Sequence, residues 1–224
     1  MRISDIQERI LSFYQTFSIR SFPIDYFTVV EQLGFRMKAY SELSEKKAAA
    51  CMELSPDACL LKDTLYYESR RPKGRVRFTI MHEVGHIVLE TTSEKDADAF
   101  ASHSLAPRMA IHYSGCKNAS DVMRHFGLSE EAADYAFNDY RNWHRTAVYK
   151  MSPIDKKIYA YFYNREAEGF VFSIHPCAYC GRLIYNRPHI DTCPMCYSRI
   201  HAAPPRSYLY SNPLSAESRA LGSL

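Results

Sequence analysis

His82-Glu83-Val84-Gly85-His86 sets two imidazoles four residues apart, with a carboxylate next to the first. On a helix, residues four apart stand one turn apart on the same face. His82 and His86 can therefore each turn a ring nitrogen towards a single ion. Neutral imidazoles suit zinc, and a site with three protein ligands keeps a fourth position for water, whose pKa zinc lowers towards ~7. Glu83 flanks that face, where it can take a proton from the water and later deliver it to a leaving amine. The competing interpretation is a helix that happens to carry two histidines and a glutamate. The surroundings weigh against it. Val84, Ile87, Val88 and Leu89 give the helix a buried side. Gly85 costs roughly 1 kcal/mol relative to alanine in a helix interior, which implies a neighbour packed too close for a side chain.

A third ligand is needed, and Glu94-Lys95-Asp96-Ala97-Asp98 offers one. Glu94 and Asp98 are four apart and share a face. Glu94 is the candidate third zinc ligand, and Asp98 the candidate acceptor for a ligand histidine's N–H, fixing its tautomer and ring angle. Asp96 is the rival ligand, but it pairs naturally with Ser93 as a helix cap and sits off the Glu94/Asp98 face. Acids also favour a helix N-terminus without any metal, and Glu94 can serve both purposes. Spacing does not select the group that would stabilise an oxyanion. Tyr66, Tyr67, His103, His112 and Tyr113 are all candidates.

A second constellation lies further on. Cys177-Ala178-Tyr179-Cys180 and Cys193-Pro194-Met195-Cys196 are two C-x-x-C pairs with twelve residues between them. Four thiolates at this spacing match a tetrahedral structural zinc site. About thirty residues bury too little apolar surface to fold alone, so the metal would hold the segment together. A redox-active dithiol is the weaker alternative, since two pairs together favour metal. Arg182, Arg187, Arg199 and Arg206, interleaved with Tyr185 and Tyr197, are candidate contacts to nucleic-acid phosphates and bases. A recognition or purely stabilising module is at least as plain an interpretation.

The elements that must position these groups follow from periodicity and punctuation. Ile3, Ile6, Ile10, Phe13, Tyr14 and Phe17 predict an amphipathic helix over about 4–18. Pro23 starts a second helix that stops at Gly34. Phe35, Met37 and Ala39 alternate as on a half-buried strand. Residues 50–54, 59–61 and 65–67 are further strand candidates, giving a small antiparallel sheet. A third helix runs over about 75–89 with the histidines in it, and a fourth from the Ser93 cap to Pro107. Residues 121–126, Gly127 and 129–143 form a helix, tight turn and helix. Acids at Glu130, Glu131, Asp134 and Asp139 argue that this pair packs rather than reads DNA. The aromatic run at Tyr159, Tyr161, Phe162 and Tyr163 is a strand or docking segment.

Composition sets the outer bounds. The chain has 224 residues, 46% hydrophobic and 24% charged, with formal charge +3 from 28 basic and 25 acidic residues. These values describe an ordinary globular chain, neither a strongly basic nucleic-acid coat nor an acidic tail protein. No stretch reaches the ~18–20 apolar residues a membrane span needs, and no secretory signal pattern opens the chain. Seven cysteines, an odd number with four of them in metal-type pairs, do not suit a disulfide framework. The expected compartment is the cytoplasm, with no membrane association.

From Arg75-Val76-Arg77-Phe78-Thr79-Ile80-Met81 through the His82–His86 motif to Glu94-Lys95-Asp96-Ala97-Asp98-Ala99-Phe100-Ala101 and Leu105-Ala106-Pro107, the chain resembles the ImmA/IrrE metallopeptidase-like proteins. Ala106-Pro107 stands where those proteins close in Met-Pro. The resemblance covers roughly 1–145. It implies a zincin-like fold with a single catalytic zinc, a cytoplasmic bacterial or mobile-element setting, and a regulatory role in which a helix-turn-helix repressor is cleaved. The expected class is α+β: a zincin-like helical metallopeptidase domain with a small antiparallel sheet over 1–150, a connecting segment over 151–172, a four-cysteine zinc-ribbon-like module over 173–202 and a tail over 203–224. The expected activity is zinc-dependent endopeptidase cleavage of a protein partner, a helix-turn-helix transcriptional repressor. Glu83 is then the general base, His82, His86 and Glu94 hold a catalytic zinc, and Cys177, Cys180, Cys193 and Cys196 hold a structural one. The alternative is a non-catalytic zinc-stabilised regulator that binds a repressor or DNA.

Overall fold

The computed structural model describes residues 1–147 and 149–201. The tail expected at 203–224 and Arg206 lie outside the described residues.

Helix α1 (Ile3–Thr16) carries the apolar stripe read from the sequence, and Ile6, Ile10, Phe13 and Tyr14 are buried. Helix α2 (Tyr26–Gln32) begins later than Pro23 predicts. The Asp25 carboxylate accepts the backbone N–H groups of Phe27 and Thr28, and this cap sets the start. Gly34, at φ +84, ends that turn as expected.

Strand β1 (Arg36–Ala39) leads into helix α3 (Glu45–Leu54), then β2 (Ala58–Leu61) and β3 (Thr64–Tyr67). The antiparallel hairpin expected here is the β2–β3 pair, with Leu60 opposite Leu65. β1 joins β3 in parallel, with Met37 beside Leu65. A parallel neighbour needs a crossover, and the intervening chain supplies it with a helix. That crossover is why residues 50–54 are helical rather than a strand. Their run of Ala48, Ala49, Ala50 and Cys51 favours helix, and only Cys51 is buried. The strand order β1-β3-β2 leaves β2 on the outside.

Helix α4 (Lys73–Leu89) runs through the main core on Val76, Ile80, Met81 and Val84. It packs chiefly against α5 (Glu94–Leu105), and α1 packs against both. Helix α6 (Arg108–Tyr113) follows Pro107, and α7 (Ala119–Phe126) and α8 (Glu130–Ala147) form the expected pair around Gly127. The aromatic run at 159–163 lies largely on a helix, α9 (Pro153–Phe162). A Ser152/Asp155 capping box starts it, and Ile154, Ile158 and Phe162 are buried in the main core. The box decides the matter, since helix spacing of the buried residues then outweighs the β-propensity of the tyrosines.

A two-strand pair, β4 (Tyr163–Asn164) and β5 (Gly169–Phe170), leads to the cysteine module. The module consists of hairpin β6 (Ile174–Pro176) and β7 (Leu183–Tyr185) with helix α10 (Pro194–Ile200). Its own buried cluster is Ile184 with Cys177, Cys193 and Cys196. Asn186 ties it to the rest of the chain: its side chain accepts the Phe172 N–H and donates to the Phe170 carbonyl, both at 2.8 Å. No helix among the described residues is long and apolar enough to cross a membrane.

Candidate metal centre and cleft

α4 presents His82 and His86 one turn apart, and α5 brings Glu94 to them. His82 Nε2 lies 3.1 Å from His86 Nε2 and 3.1 Å from Glu94 Oε2, and His86 Nε2 lies 3.5 Å from Glu94 Oε1. Each ring's other nitrogen is already engaged. His82 Nδ1 is 2.8 Å from Asp98 Oδ1, and His86 Nδ1 is 2.8 Å from the Thr91 carbonyl. A carbonyl accepts only, so His86 Nδ1 carries the proton, and the Asp98 carboxylate places one on His82 Nδ1 in the same way. Both Nε2 atoms then turn lone pairs towards each other and towards a carboxylate. Three acceptors meeting without a donor repel one another, and a cation at their centre removes the conflict. Zinc at ~2.0–2.1 Å from each ligand would set tetrahedral neighbours roughly 3.3 Å apart, which is the spacing seen here.

The local chain accounts for this convergence. Glu90 closes α4 in a left-handed conformation, φ 51, and turns the chain so that the Thr91 N–H reaches the His86 carbonyl. The same turn aims the Thr91 carbonyl at the His86 ring. Ser93 then caps α5 by accepting the Asp96 N–H, the role read from the sequence. Asp96 is also bonded to the Met1 amine at 3.0 Å and does not join the histidines. Gly85 is the close approach its position implied. A Cβ there would lie 3.1 Å from the Ala97 carbonyl oxygen and 3.2 Å from the Phe100 Cβ. Bare backbone at Gly85 lets α5 sit near enough for Glu94 to reach across.

The centre opens into a cleft of about 1510 Å³. α4 and α5 form its floor. β2 and the preceding residues from Leu54 line one side, packed on α4, and the first turns of α8 line the other, packed on α5. Glu83 is half-buried on the floor. Burial pushes its carboxyl pKa up, His82 and His86 work against that, and Glu94 adds to it. Arg75, on the first turn of α4, bonds both Asp57 oxygens and holds the approach to β2.

None of the five oxyanion candidates lines this cleft. Tyr66 takes a hydrogen bond from Lys47 at 2.7 Å beside Cys51 and Cys59. Tyr67 packs on Phe27. His103 is buried against Asp139. His112 and Tyr113 stack among aromatic rings on α6, α8 and α9. Sequence reasoning missed Thr91, which acts through its backbone and so leaves no residue-type signal, and Tyr135, which reaches the cleft through the placement of α8.

In the cysteine module, the four sulfurs of Cys177, Cys180, Cys193 and Cys196 lie within 4.8 Å of one another. Cys180 Sγ and Cys193 Sγ are 3.7 Å apart, and tetrahedral Zn–S bonds of ~2.3 Å give neighbours at roughly 3.8 Å. The Cys193 N–H donates to Cys177 Sγ at 3.3 Å, and that bond holds the Cys177 thiol below its usual range, favouring the thiolate. His175 Nε2 faces the Ile190 carbonyl at 2.8 Å.

Residues 43–138 match the model of the peptidase family described as the IrrE N-terminal-like domain, M78. The matched span runs from just before α3 into α8. It contains both histidines, Glu83, Glu94 and Asp98, and the resemblance expected from the sequence is borne out over it. The match supports a metallopeptidase-like function. The four C-terminal cysteines lie beyond it as a zinc-ribbon-like cluster. No curated protein matches the chain.

Proposed function

We propose that the chain is a zinc-dependent endopeptidase of the H-E-x-x-H type that cuts a protein partner, a helix-turn-helix transcriptional repressor, in the cytoplasm. The observation that carries the reading is the convergence of His82 Nε2, His86 Nε2 and the Glu94 carboxylate at the floor of a cleft that also holds Glu83. The repressor as target rests on the family resemblance. Two metal-type cysteine pairs suit a reducing compartment.

Zinc held by His82, His86 and Glu94 would polarise the scissile carbonyl and make water acidic enough to ionise near neutral pH. The remaining tasks belong to the chain. Asp98 and the Thr91 carbonyl engage the Nδ1 atom of each imidazole, so Nε2 is the ligand nitrogen in both and is held aimed at the centre. Glu83, made more basic by burial, receives the proton of the attacking water and passes it to the departing amine. β2, an outer strand along the cleft, offers unpaired backbone groups with which an extended substrate segment can pair as an added strand. The cysteine module takes a structural zinc that holds its hairpin and helix α10 together.

The test compares the native chain with Glu83→Gln in host cells by mapping newly formed protein N-termini. Glu83→Gln keeps the ligands and should bind zinc equally. A new N-terminus within a helix-turn-helix repressor, present with the native chain and absent with the variant, is the expected result. Relief of repression by both proteins, with no new N-terminus, would overturn the peptidase reading in favour of a non-catalytic regulator.

A further inference from the structure

We infer that Tyr135 is the residue that hydrogen-bonds the reacting carbonyl oxygen, a catalytic role for a position outside every motif; the inference rests on the peptidase reading above. A substrate segment paired on β2 has its backbone bonded along that side of the cleft, and the floor carries the ligands and the base. A donor to the developing oxyanion is then best supplied from across the cleft, where α8 stands. That side consists of Ser129, Glu130, Glu131, Ala132, Asp134 and Tyr135. The three acids are acceptors when ionised, alanine has no polar side chain, and the Ser129 hydroxyl, which accepts the Ala132 N–H at 3.3 Å, is a short donor tied to the helix cap. Tyr135 carries the longest-reaching side-chain donor on that side. The residue is 61% exposed, and its hydroxyl has no hydrogen-bond partner among the described residues.

A donor of this kind works only if it is held in place before the reaction. The start of α8 is held. Gly74 on α4 lies so close to the α7–α8 turn that a Cβ would fall 2.4 Å from the Leu128 carbonyl carbon and from the Ser129 nitrogen. Arg77, one turn further along α4, donates to the Gly127 carbonyl from a half-buried position. The helix bearing His82 and Glu83 thus grips the turn from which Tyr135 is projected. The phenol O–H donates to the carbonyl oxygen as that oxygen gains negative charge. It keeps its own proton, and the bond relaxes when the carbonyl is restored and the amine departs.

The experiment uses the full chain and a peptide library digested from a bacterial proteome, from which a peptide cut by the native protein is taken as substrate. Tyr135→Phe removes one oxygen and leaves the ring. Expected are a kcat about 100-fold lower with KM little changed, a matching loss of affinity for a phosphinic analogue of that peptide, and unaltered zinc content and Tm. Retention of full kcat, or a loss confined to KM, would overturn the assignment. So would a kcat loss in Lys95→Ala with none in Tyr135→Phe. Glu83→Gln, assayed in parallel, separates the two levels. An inactive Glu83→Gln beside a fully active Tyr135→Phe removes only this inference. A native chain that cuts nothing in the library, or an active Glu83→Gln, removes the peptidase reading itself.

Discussion

Asp98 and His82 stand on successive helices with Oδ1 2.8 Å from Nδ1, while the opposite ring nitrogen faces Glu94 at 3.1 Å. One turn of α5 therefore supplies both a prospective ligand and the anchor of its neighbour. Asp98→Ala should weaken zinc binding 10–100-fold while leaving the fold intact, the range typical for loss of a partner to a ligand histidine. Competitive zinc titration with a chromophoric chelator measures this. Equal affinity in the two proteins would show that Asp98 does not orient the ring.

Gly85→Ala poses a test of opposite signs. Alanine favours helix by about 1 kcal/mol, so in open space it would stabilise α4. Here the added methyl meets the Ala97 backbone and the Phe100 Cβ at 3.1–3.2 Å, and backbone yields poorly. Overpacking of this kind costs about 1–3 kcal/mol. The expected result is a lower Tm together with weaker zinc binding, because α5 moves away with Glu94. A higher Tm with unchanged zinc affinity would refute the close-packing argument.

Metal content should be two zinc ions per chain. Glu94 is well exposed, whereas three of the four cysteines are buried. A chelator should therefore remove the histidine-site ion first, with loss of any hydrolysis, and the cysteine-site ion later, with loss of structure around Ile184. Cys177→Ser should bring the content to one and leave the helical core folded, as judged by atomic emission and circular dichroism. Two ions in Cys177→Ser would exclude a thiolate site.

Acid sensitivity should trace to His103. Burial drives its imidazole down to about 4, Asp139 pulls the other way and Arg108 adds to the fall. The ordinary value is 6.5, so between 6.5 and about 4 the unfolded chain takes up a proton that the folded one refuses. Stability from this source is complete above that window and drains away as pH falls through it. Urea midpoints measured across the range should decline more steeply for the native chain than for His103→Asn. Parallel declines would assign the acid sensitivity elsewhere.

The floor of the site was legible because its signals are local. His82 and His86 report a helical face, Ser93 with Asp96 reports a cap, and Gly85 reports a close neighbour. Each depends on residues within one or two turns. The module cysteines are legible for the same reason, since C-x-x-C spacing is set by the turn that holds it. The walls of the cleft were not. β1 pairs in parallel with β3 through a crossover, and residues 50–54 belong to the helix of that connection, in line with the alanines ahead of them. Tyr135 carries no distinguishing neighbour in sequence. It reaches the cleft because Gly74 and Arg77 on α4 grip the turn ahead of α8. The aromatic residues from Tyr159 onward look strand-like in composition, and a capping box at Ser152 overrides them.

β2 is four residues long. At ~3.4 Å per residue a template of that size grips a stretch of roughly 13 Å, too little text to tell one polypeptide from another. In the proposed reaction, choice of target therefore passes to shape and timing. A protein is cut where it can offer a loose, unpaired length of backbone, and it is spared while that length is folded away. Whatever loosens the victim, a stress or a lost partner, becomes the trigger, and the scissors themselves can stay permanently sharp.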